Sequence, residues 1–262
     1  MSDDDQLEVP MRGGVNTVVR IGRTVRRPTG PWNPAVHALL RHLAEAGFDG
    51  APRVYGLDDQ GREILDFVEG AVADFPVPDE ARTDEALHGV AVLLRAFHDA
   101  TAGFTAPPGA AWYLPAREPA EVVCHGDVAG YNLVFREGRP VALIDFDTAH
   151  PGPRIWDAAY AAYRLVPLSP STHPEGFHAP LGEQARRVRL FADAYGLGQA
   201  DRAARPEAAA ERLRHLAAHI RDQAAAGSAA FAEHLARGDD RMYLAEADYI
   251  AQHAEELRAA LL

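Results

Sequence analysis

The segment HGDVAGYN, His125 to Asn132, and the segment IDF, Ile144 to Phe146, decide the fold of this chain. Short apolar runs stand directly before and after the first segment, which is therefore predicted to be a loop between two strands. The turn REGR, Arg136 to Arg139, then predicts a hairpin whose second strand contains Asp145. The pattern brings two carboxylates and an amide to neighbouring positions of one small sheet.

These three side chains form the arrangement that phosphoryl transfer requires. Asp127 can orient an attacking hydroxyl group and accept its proton, whereas the Asn132 amide oxygen and the Asp145 carboxylate can hold Mg²⁺ against nucleotide phosphates. A single aspartate in a loop is more often a turn former. The three residues together, at this spacing, favour a catalytic role.

The residues before this segment predict a strand-rich unit with one helix. Alternating apolar residues and glycine turns predict strands over 7–12, 17–21, 24–27, 53–57 and 63–68. Asn33 and Pro34 predict the cap and the first turn of a helix that Gly47 ends. Thr83 predicts the cap of the next helix, and the chain from Pro153 onward is predicted to be mostly helical.

The stretch from Glu69 to Glu80, which contains proline and glycine, is the predicted boundary between two lobes. We expect an N-terminal nucleotide-binding lobe over residues 1–69. We expect a C-terminal catalytic and acceptor-binding lobe over residues 70–262.

The composition limits the class of protein. With 262 residues, 47% of them hydrophobic, the chain can form one large or two small domains. No apolar run approaches the roughly 20 residues of a membrane span, and the net charge of -12 argues against a nucleic-acid partner. The first residues, MSDDD, are unlike a targeting peptide, and the one cysteine, Cys124, excludes an internal disulfide. We expect a cytoplasmic protein with no membrane partner, and its oligomeric state stays open.

At the catalytic segment the sequence resembles the aminoglycoside phosphotransferase and choline kinase family, which is related to the protein kinases. The family's His-Gly-Asp loop ending in Asn is matched by His125, Gly126, Asp127 and Asn132. Its metal-binding Ile-Asp-Phe segment is matched by residues 144–146. The resemblance implies an α+β, bilobal protein-kinase-like fold with a small antiparallel-sheet N-terminal lobe and a larger helical C-terminal lobe.

The resemblance also implies roles for individual residues. Asp127 is the candidate catalytic base, and Asn132 and Asp145 are the candidate metal ligands. His125 and Asp157 are the candidate structural supports of the catalytic loop. The implied cofactor is Mg²⁺, and the implied phosphoryl donor is ATP or GTP.

The nucleotide side departs from the family pattern because the sequence contains no lysine. Arginine can take the place of the phosphate-binding lysine, since it neutralises phosphates bidentately. We predict Arg26 in this role because it shares a strand face with Thr24 and stands two residues before Pro28, with Arg27 as the alternative. The glutamate expected on the helix over 35–43 is missing, so the sequence leaves open what orients the arginine.

The other nucleotide-binding candidates are placed by position alone. Gly14 and Asn16 fall where a loop would cover the phosphates. Asp66, Phe67 and Val68 stand just before the predicted lobe boundary and would offer backbone groups to the adenine or guanine edge.

The sequence therefore predicts an enzyme, a phosphotransferase with an alcohol group as acceptor. The predicted acceptor is a hydroxylated, antibiotic-like small molecule, with an aminoglycoside first and a macrolide or nucleoside antibiotic as alternatives. A kinase of a primary metabolite such as choline and a non-catalytic pseudokinase that binds nucleotide also stay open. Acidic residues in the C-terminal helices would suit a polycationic acceptor, but a solvated helix face is the favoured interpretation. They are Glu233, Asp239, Asp240, Glu246 and Asp248.

Overall fold

The N-terminal lobe is an antiparallel sheet with one helix beside it. The computed structural model describes residues 7–11, 18–74, 76–170 and 179–262. The strands of the sheet are β1 (Val9–Met11), β2 (Val18–Ile21), β3 (Thr24–Arg27), β4 (Val54–Leu57) and β5 (Glu63–Asp66). Their order is β1-β2-β3-β5-β4, and the β3–β5 pairing sets Arg27 directly opposite Glu63.

Helix α1 (Asn33–Glu45) packs an apolar face, including Leu39 and Leu43, into the core. The predicted cap lies one residue too late, because Trp32 is the N-cap residue and Asn33 already belongs to the helix. After the last turn Gly47 has a φ of +75°, a left-handed conformation that glycine adopts without the steric cost of a Cβ.

The C-terminal lobe is mostly helical and contains two small sheets. The strands β6 (Ala71–Val72), β8 (Leu133–Arg136) and β9 (Arg139–Leu143) form one sheet, and β7 (Val122–Cys124) pairs with β10 (His150–Gly152) in the other. The helices are α2 (Asp84–Thr101), α3 (Arg154–Leu165), α4 (Leu181–Tyr195), α5 (Gln199–Ala225), α6 (Ala229–Arg237), α7 (Asp239–Gln252) and α8 (Ala254–Leu261).

Two sequence predictions can be compared directly with these elements. The Thr83 hydroxyl accepts a hydrogen bond from the Ala86 amide at 3.1 Å, which confirms the predicted cap of α2. The sheet followed by a helical remainder confirms the predicted α+β architecture. The predicted lobe boundary between residues 69 and 70 falls between β5 and β6. Within the described ranges, no helix is both long and apolar enough to cross a membrane.

One hydrophobic core continues from α1 through α2 to the helices of the C-terminal lobe. It reaches the catalytic segment through Phe97 on α2, whose ring lies 5.7 Å from that of Phe146 between centroids. The ring of Phe146 lies 4.7 Å from that of His125. The catalytic segment is thus built directly on the core, which fixes its position.

Candidate active site

The start of the catalytic loop is held by Asp157, a buried carboxylate in the first turn of α3. Its two oxygens accept hydrogen bonds from the backbone amides of His125, at 2.6 Å, and Gly126, at 3.0 Å. Burial by itself would raise the pKa of Asp157, but the hydrogen bond and charge of His98 and the contacts with His125 outweigh it and lower the pKa to about 2. These contacts support the bracing role proposed for Asp157.

His125 ties this loop to the segment that carries Asp145. Its ring is fully buried, and Nε2 lies 3.0 Å from the carbonyl oxygen of Ile144. Its Nδ1 accepts a hydrogen bond from the Asp127 amide at 3.3 Å, so the proton is on Nε2, which donates to Ile144. Because both ring nitrogens of His125 are bonded to backbone groups, we propose that His125 positions the loop.

Gly126 is a position where the loop requires glycine. Its φ is +85°, and a Cβ built there would lie 2.5 Å from the carbonyl oxygen of Thr148. The Gly126 carbonyl in turn accepts a hydrogen bond of 2.7 Å from Nη2 of Arg212 on α5. The backbone just before Asp127 is therefore fixed from two sides.

The carboxylate of Asp127 is held by three side-chain donors. Oδ1 accepts from the hydroxyl groups of Tyr131, at 2.9 Å, and Tyr160, at 3.1 Å, while Oδ2 accepts from Nδ2 of Asn132 at 3.0 Å. Burial and the charge of Asp127 raise the pKa of both tyrosines well above the usual value, so they stay protonated and donate. A carboxylate has about four acceptor positions, and one on Oδ2 is left for the hydroxyl group of a substrate.

The oxygen atoms that could bind a metal come from Asn132 and Asp145. The two lie on adjoining segments, because the Ile144 amide donates to the Asn132 carbonyl at 3.0 Å. The Asn132 amide nitrogen is taken by Asp127, whereas its Oδ1 accepts no hydrogen bond from the residues that the structure describes. Asp145 is about half exposed at its side chain. Hard oxygen donors with room for water are what Mg²⁺ prefers, so the residues fit this ion.

Asp145 does not lie in a strand, and that prediction was wrong. Strand β9 ends at Leu143, and Asp145 has a φ of 64° and a ψ of 71° at the start of a 3-10 turn over Phe146–Thr148. A left-handed backbone at a residue other than glycine costs about 1–3 kcal/mol. The apolar run before Asp145 gives no sign of this turn.

The arginine at this site is Arg27, on β3. Its three guanidinium nitrogens contact three different carboxylates: Nε that of Glu63, Nη1 that of Asp145 at 2.7 Å, and Nη2 that of Asp147. Arg27 is buried, and it joins the two lobes because Glu63 belongs to the N-terminal lobe and the two aspartates to the C-terminal lobe.

Arg26, the preferred candidate from the sequence, does not contact Asp145 or Asp147, so we propose Arg27, the alternative candidate, for the phosphate-binding role. Successive side chains on a strand point to opposite faces. The face with Thr24 turns away from the carboxylates, so Nη1 of Arg26 donates to the Thr24 hydroxyl at 2.7 Å. The phosphate-loop candidates Gly14 and Asn16 lie outside the described residues.

Glu63, on β5, is the carboxylate of the N-terminal lobe that contacts Arg27. It is fully buried and accepts hydrogen bonds from Arg27, from Nδ2 of Asn33 at 2.9 Å and from Nε2 of His37 at 2.8 Å. Burial would raise the pKa of Glu63, but the hydrogen bond of His37 and the charge of Arg27 hold it below the usual value. A signal was present in the sequence: Glu63 is an acid at the start of an apolar strand.

The group around Arg27 carries a surplus of negative charge, since one guanidinium contacts three carboxylates. Burial raises the pKa of Asp147 to about 6, and the charge of Asp145 adds to this, while Arg27 opposes it. A divalent cation beside Asp145 would balance this surplus, which is a second reason why the residues fit a metal.

The residues predicted to meet the base are only partly available. The Phe67 amide donates to the Arg23 carbonyl at 2.9 Å and is therefore used within the protein. The Asp66 carboxylate accepts from the Tyr55 hydroxyl at 2.7 Å. Contact of Asp66, Phe67 or Val68 with a base stays a proposal.

A cavity of about 190 Å³ opens beside Asp127. Among the described residues that line it, Asp127 is the one carboxylate, whereas aromatic rings, histidines and arginines are numerous. The aromatic residues are Tyr113, Tyr131, Trp156, Tyr160, Phe231 and Tyr243, the histidines are His150, His215, His219 and His234, and the arginines are Arg117 and Arg212. The sequence missed this set, because its members come from distant loops and helices.

The five acidic residues of the C-terminal helices do not line this cavity. Asp239, Asp240 and Asp248, all on α7, form ion pairs with arginines of α6 and α5. Asp240 and Glu246 are buried and Glu233 is exposed, so a solvated helix face describes this set only in part.

The loop, its carboxylates and the Arg27–Glu63 pair define a kinase-like phosphotransferase site. The profile of a family described as "Phosphotransferase enzyme family" (APH) matches residues 109–191, which include the catalytic loop. The chain is also 38% identical over 199 residues to the trifolitoxin immunity protein of Rhizobium leguminosarum bv. trifolii, an alignment that covers 72% of this chain and 74% of that protein. The chain belongs to the phosphotransferase enzyme family, which confirms the predicted family and the predicted class of enzyme.

Solved structures share the fold at low sequence identity. A choline/ethanolamine kinase family protein from Mesorhizobium loti has a TM-score of 0.63 at 15% identity, with 99% of this chain and 94% of that chain covered. An amicoumacin kinase in complex with AMP-PNP, Ca²⁺ and Ami has a TM-score of 0.66 at 12% identity, covering 92% and 88%. An aminoglycoside phosphotransferase from Alicyclobacillus acidocaldarius has a TM-score of 0.58 at 17% identity, covering 98% and 94%. These likenesses confirm the predicted kinase-like fold.

Proposed function

We propose that this protein transfers the γ-phosphoryl group of ATP or GTP, with Mg²⁺, to a hydroxyl group of a small, antibiotic-like molecule. One observation carries the proposal: the Asp127 carboxylate lines an open cavity, and the described residues leave one acceptor position on its Oδ2 free. The relative with 38% identity is named an immunity protein, which supports a role in resistance to such a molecule.

In this proposal Asp127 acts on the acceptor. The hydroxyl group of the acceptor donates a hydrogen bond to Oδ2, which aims its oxygen at the γ-phosphorus. As the new oxygen–phosphorus bond forms, the bond from the γ-phosphorus to the bridging oxygen of the nucleoside diphosphate breaks, and Asp127 takes the hydroxyl proton. Tyr131 and Tyr160 hold the carboxylate in place throughout, because they bond to the other oxygen.

The charge on the phosphates is met by the residues on the opposite side of the site. Asn132 and Asp145 would hold Mg²⁺, which would supply positive charge to the phosphates. We infer that Arg27 does the same from the N-terminal lobe, in the role usually taken by lysine, and that Glu63 orients it. The absence of a lysine–glutamate pair is therefore no reason to regard the chain as a pseudokinase, because Arg27 and Glu63 form an ion pair in this proposal.

The test is nucleotide turnover with a panel of hydroxylated antibiotics, with ATP and GTP as donors and the phosphorylated product identified by mass. Asp127→Asn keeps the shape of the side chain but removes the base, so we expect turnover to fall by about 10²–10⁴-fold. Asp79→Asn is the matched control, because the side chain of Asp79 is 97% exposed. Turnover of an acceptor by Asp127→Asn at the wild-type rate, or no Mg²⁺-dependent turnover with any acceptor, contradicts the proposal.

A further inference from the structure

The cavity beside Asp127 is poorly suited to a polycation. Two arginines and four histidines line it, and Asp127 is the one carboxylate among its described lining residues. Recognition of several ammonium groups requires several carboxylates, because an ammonium group taken from water into a protein needs an anionic partner. The acidic residues of the C-terminal helices do not supply them, since none lines this cavity.

Arg212 is the strongest indication of what the cavity accepts. Its exposure is 5%, Nη2 donates to the Gly126 carbonyl, and Nε has no hydrogen-bond acceptor. In the parts of the chain that the structure describes, no carboxylate forms an ion pair with it. A buried guanidinium without a counter-ion is costly, and an anion in the cavity would remove that cost.

The second arginine, Arg117, lies over an aromatic wall of the same cavity, and its Nη2 donates to the exposed Glu211 carboxylate at 2.8 Å, so Arg212 is the arginine without a carboxylate partner among the described residues. The guanidinium carbon of Arg117 is 3.6 Å from the centroid of the Trp156 ring, and that of Arg212 is 5.3 Å from it. The guanidinium carbon of Arg212 is also 4.5 Å from the centroid of Tyr160. Positive charge and flat aromatic surface therefore occur together, which suits a planar ring that carries a negative group.

The histidines add no negative charge to the cavity, and three of them add no positive charge either. Burial lowers the pKa of His150, His215 and His219, and the positive charge of Arg212 lowers each of them further. These three rings are therefore neutral near pH 7, and all three lie in the positive field of Arg212.

Resting on the proposed function, we infer that the acceptor is an aromatic alcohol that carries a carboxylate or a similar anionic group, which binds against Arg212 with Arg117 beside it. A polycation such as an aminoglycoside is the wrong class of acceptor for this cavity. The aromatic ring of the acceptor would pack against Trp156 and the tyrosines, and its hydroxyl group would donate a hydrogen bond to Asp127.

A series of three probes with the same ring and the same hydroxyl group tests the charge preference. They are 4-(hydroxymethyl)benzoate, benzyl alcohol and 4-(aminomethyl)benzyl alcohol, and their binding is measured by saturation-transfer NMR and Trp fluorescence without nucleotide. We expect the carboxylate to bind at least about tenfold more tightly than the ammonium compound, because a hydrogen bond to a charged group is worth about that much. Equal affinities, tighter binding of the ammonium compound, or no binding of any probe up to its solubility limit would overturn the inference.

Variants identify the side chains responsible. Arg212→Gln keeps a donor for the Gly126 carbonyl but removes the charge, so the advantage of the carboxylate over benzyl alcohol should be lost while benzyl alcohol still binds. Arg117→Gln, at a partly exposed side chain, should reduce the same advantage and serves if the first variant does not fold. Arg214→Gln on the same helix is the matched control, since Arg214 does not line the cavity. If the folded Arg212→Gln and Arg117→Gln variants both keep the wild-type preference for the carboxylate over benzyl alcohol, the assignment is wrong.

Failure of this inference can be distinguished from failure of the proposed function. Mg²⁺-dependent turnover that requires Asp127 is measured separately and does not depend on the charge series. If turnover is intact and the carboxylate has no advantage, the inferred acceptor class alone is wrong.

Discussion

Glu63→Gln tests the Arg27–Glu63 ion pair, which we propose in place of the lysine–glutamate pair. The substitution keeps the size of the side chain and removes its charge. In the wild-type protein Glu63 is fully buried and accepts hydrogen bonds from Arg27, Asn33 and His37. Glutamine has one acceptor oxygen in place of two, so at least one of these three donors then faces an NH₂ group.

The expected size follows from the burial. Breaking a buried ion pair by removing one partner costs about 3–5 kcal/mol, because the other charge is left without compensation. Arg27 keeps its contacts with Asp145 and Asp147, so we expect the lower end, about 3 kcal/mol of unfolding free energy. Turnover should fall by about 10²-fold, the usual effect of a displaced charge in an active site.

The free energy of unfolding is measured by urea titration, and turnover by the Mg²⁺-dependent assay on protein that is shown to be folded. Glu69→Gln is the control in the same lobe, because Glu69 is 63% exposed and pairs with Arg20 at the surface. A surface pair is worth about 0–1 kcal/mol, so this variant should resemble the wild type. A Glu63→Gln protein as stable and as active as the Glu69→Gln control would refute the reasoning.

Two further changes probe the catalytic loop. Tyr160→Phe removes one of the three side-chain donors to Asp127. We expect turnover to fall by about tenfold with unchanged nucleotide affinity, because a hydrogen bond to a charged group is worth about 1.5–3 kcal/mol. Unchanged turnover would show that the hydrogen bond from Tyr160 does not contribute to catalysis. Asp157→Asn should destabilise the protein at pH 7. Because the pKa of Asp157 is about 2 in the folded protein, its ionisation contributes about 2 kcal/mol to the free energy of unfolding. This contribution is present above pH 4 and is lost as the pH falls towards 2. Urea titrations of wild type and Asp157→Asn at several pH values check this, and a stability difference that grows on acidification would refute it.

The catalytic loop could be predicted because its chemistry is local in the sequence. Asp127 and Asn132 are five residues apart on one loop, and a single hairpin separates them from Asp145. Asp127 and Asn132 contact each other directly, and the Ile144 amide joins the segment of Asp145 to Asn132. The left-handed turn at Asp145 was missed, since backbone strain of this kind has no signature in residue type except at glycine.

The nucleotide side could be predicted only in part because it depends on strand register. A shift of one residue moves a side chain to the other face of a sheet, and this decides between Arg26 and Arg27. The partner of the arginine was harder to find still, since Glu63 is 36 residues away and becomes its neighbour only through the β3–β5 pairing.

The cavity beside Asp127 could not be predicted, since its walls converge from six separate parts of the chain. His215 and His219 are spaced as neighbours on one face of α5, but histidines at this spacing are common in helices that bind nothing. Only the fold shows that they share a cavity with Trp156 and Asp127.

The position of Glu63 has a physical consequence for the site as a whole. A glutamate on a helix depends on the position of that helix for its contact with a strand cation. Arg27 and Glu63 are cross-strand neighbours, so the hydrogen bonds of the β3–β5 ladder set their separation. Helix α1 contributes Asn33 and His37, which bind the carboxylate from behind and leave it in place. The strand pairing therefore fixes the separation of the two Cα atoms, and the contacts of Asn33 and His37 hold the Glu63 carboxylate towards Arg27.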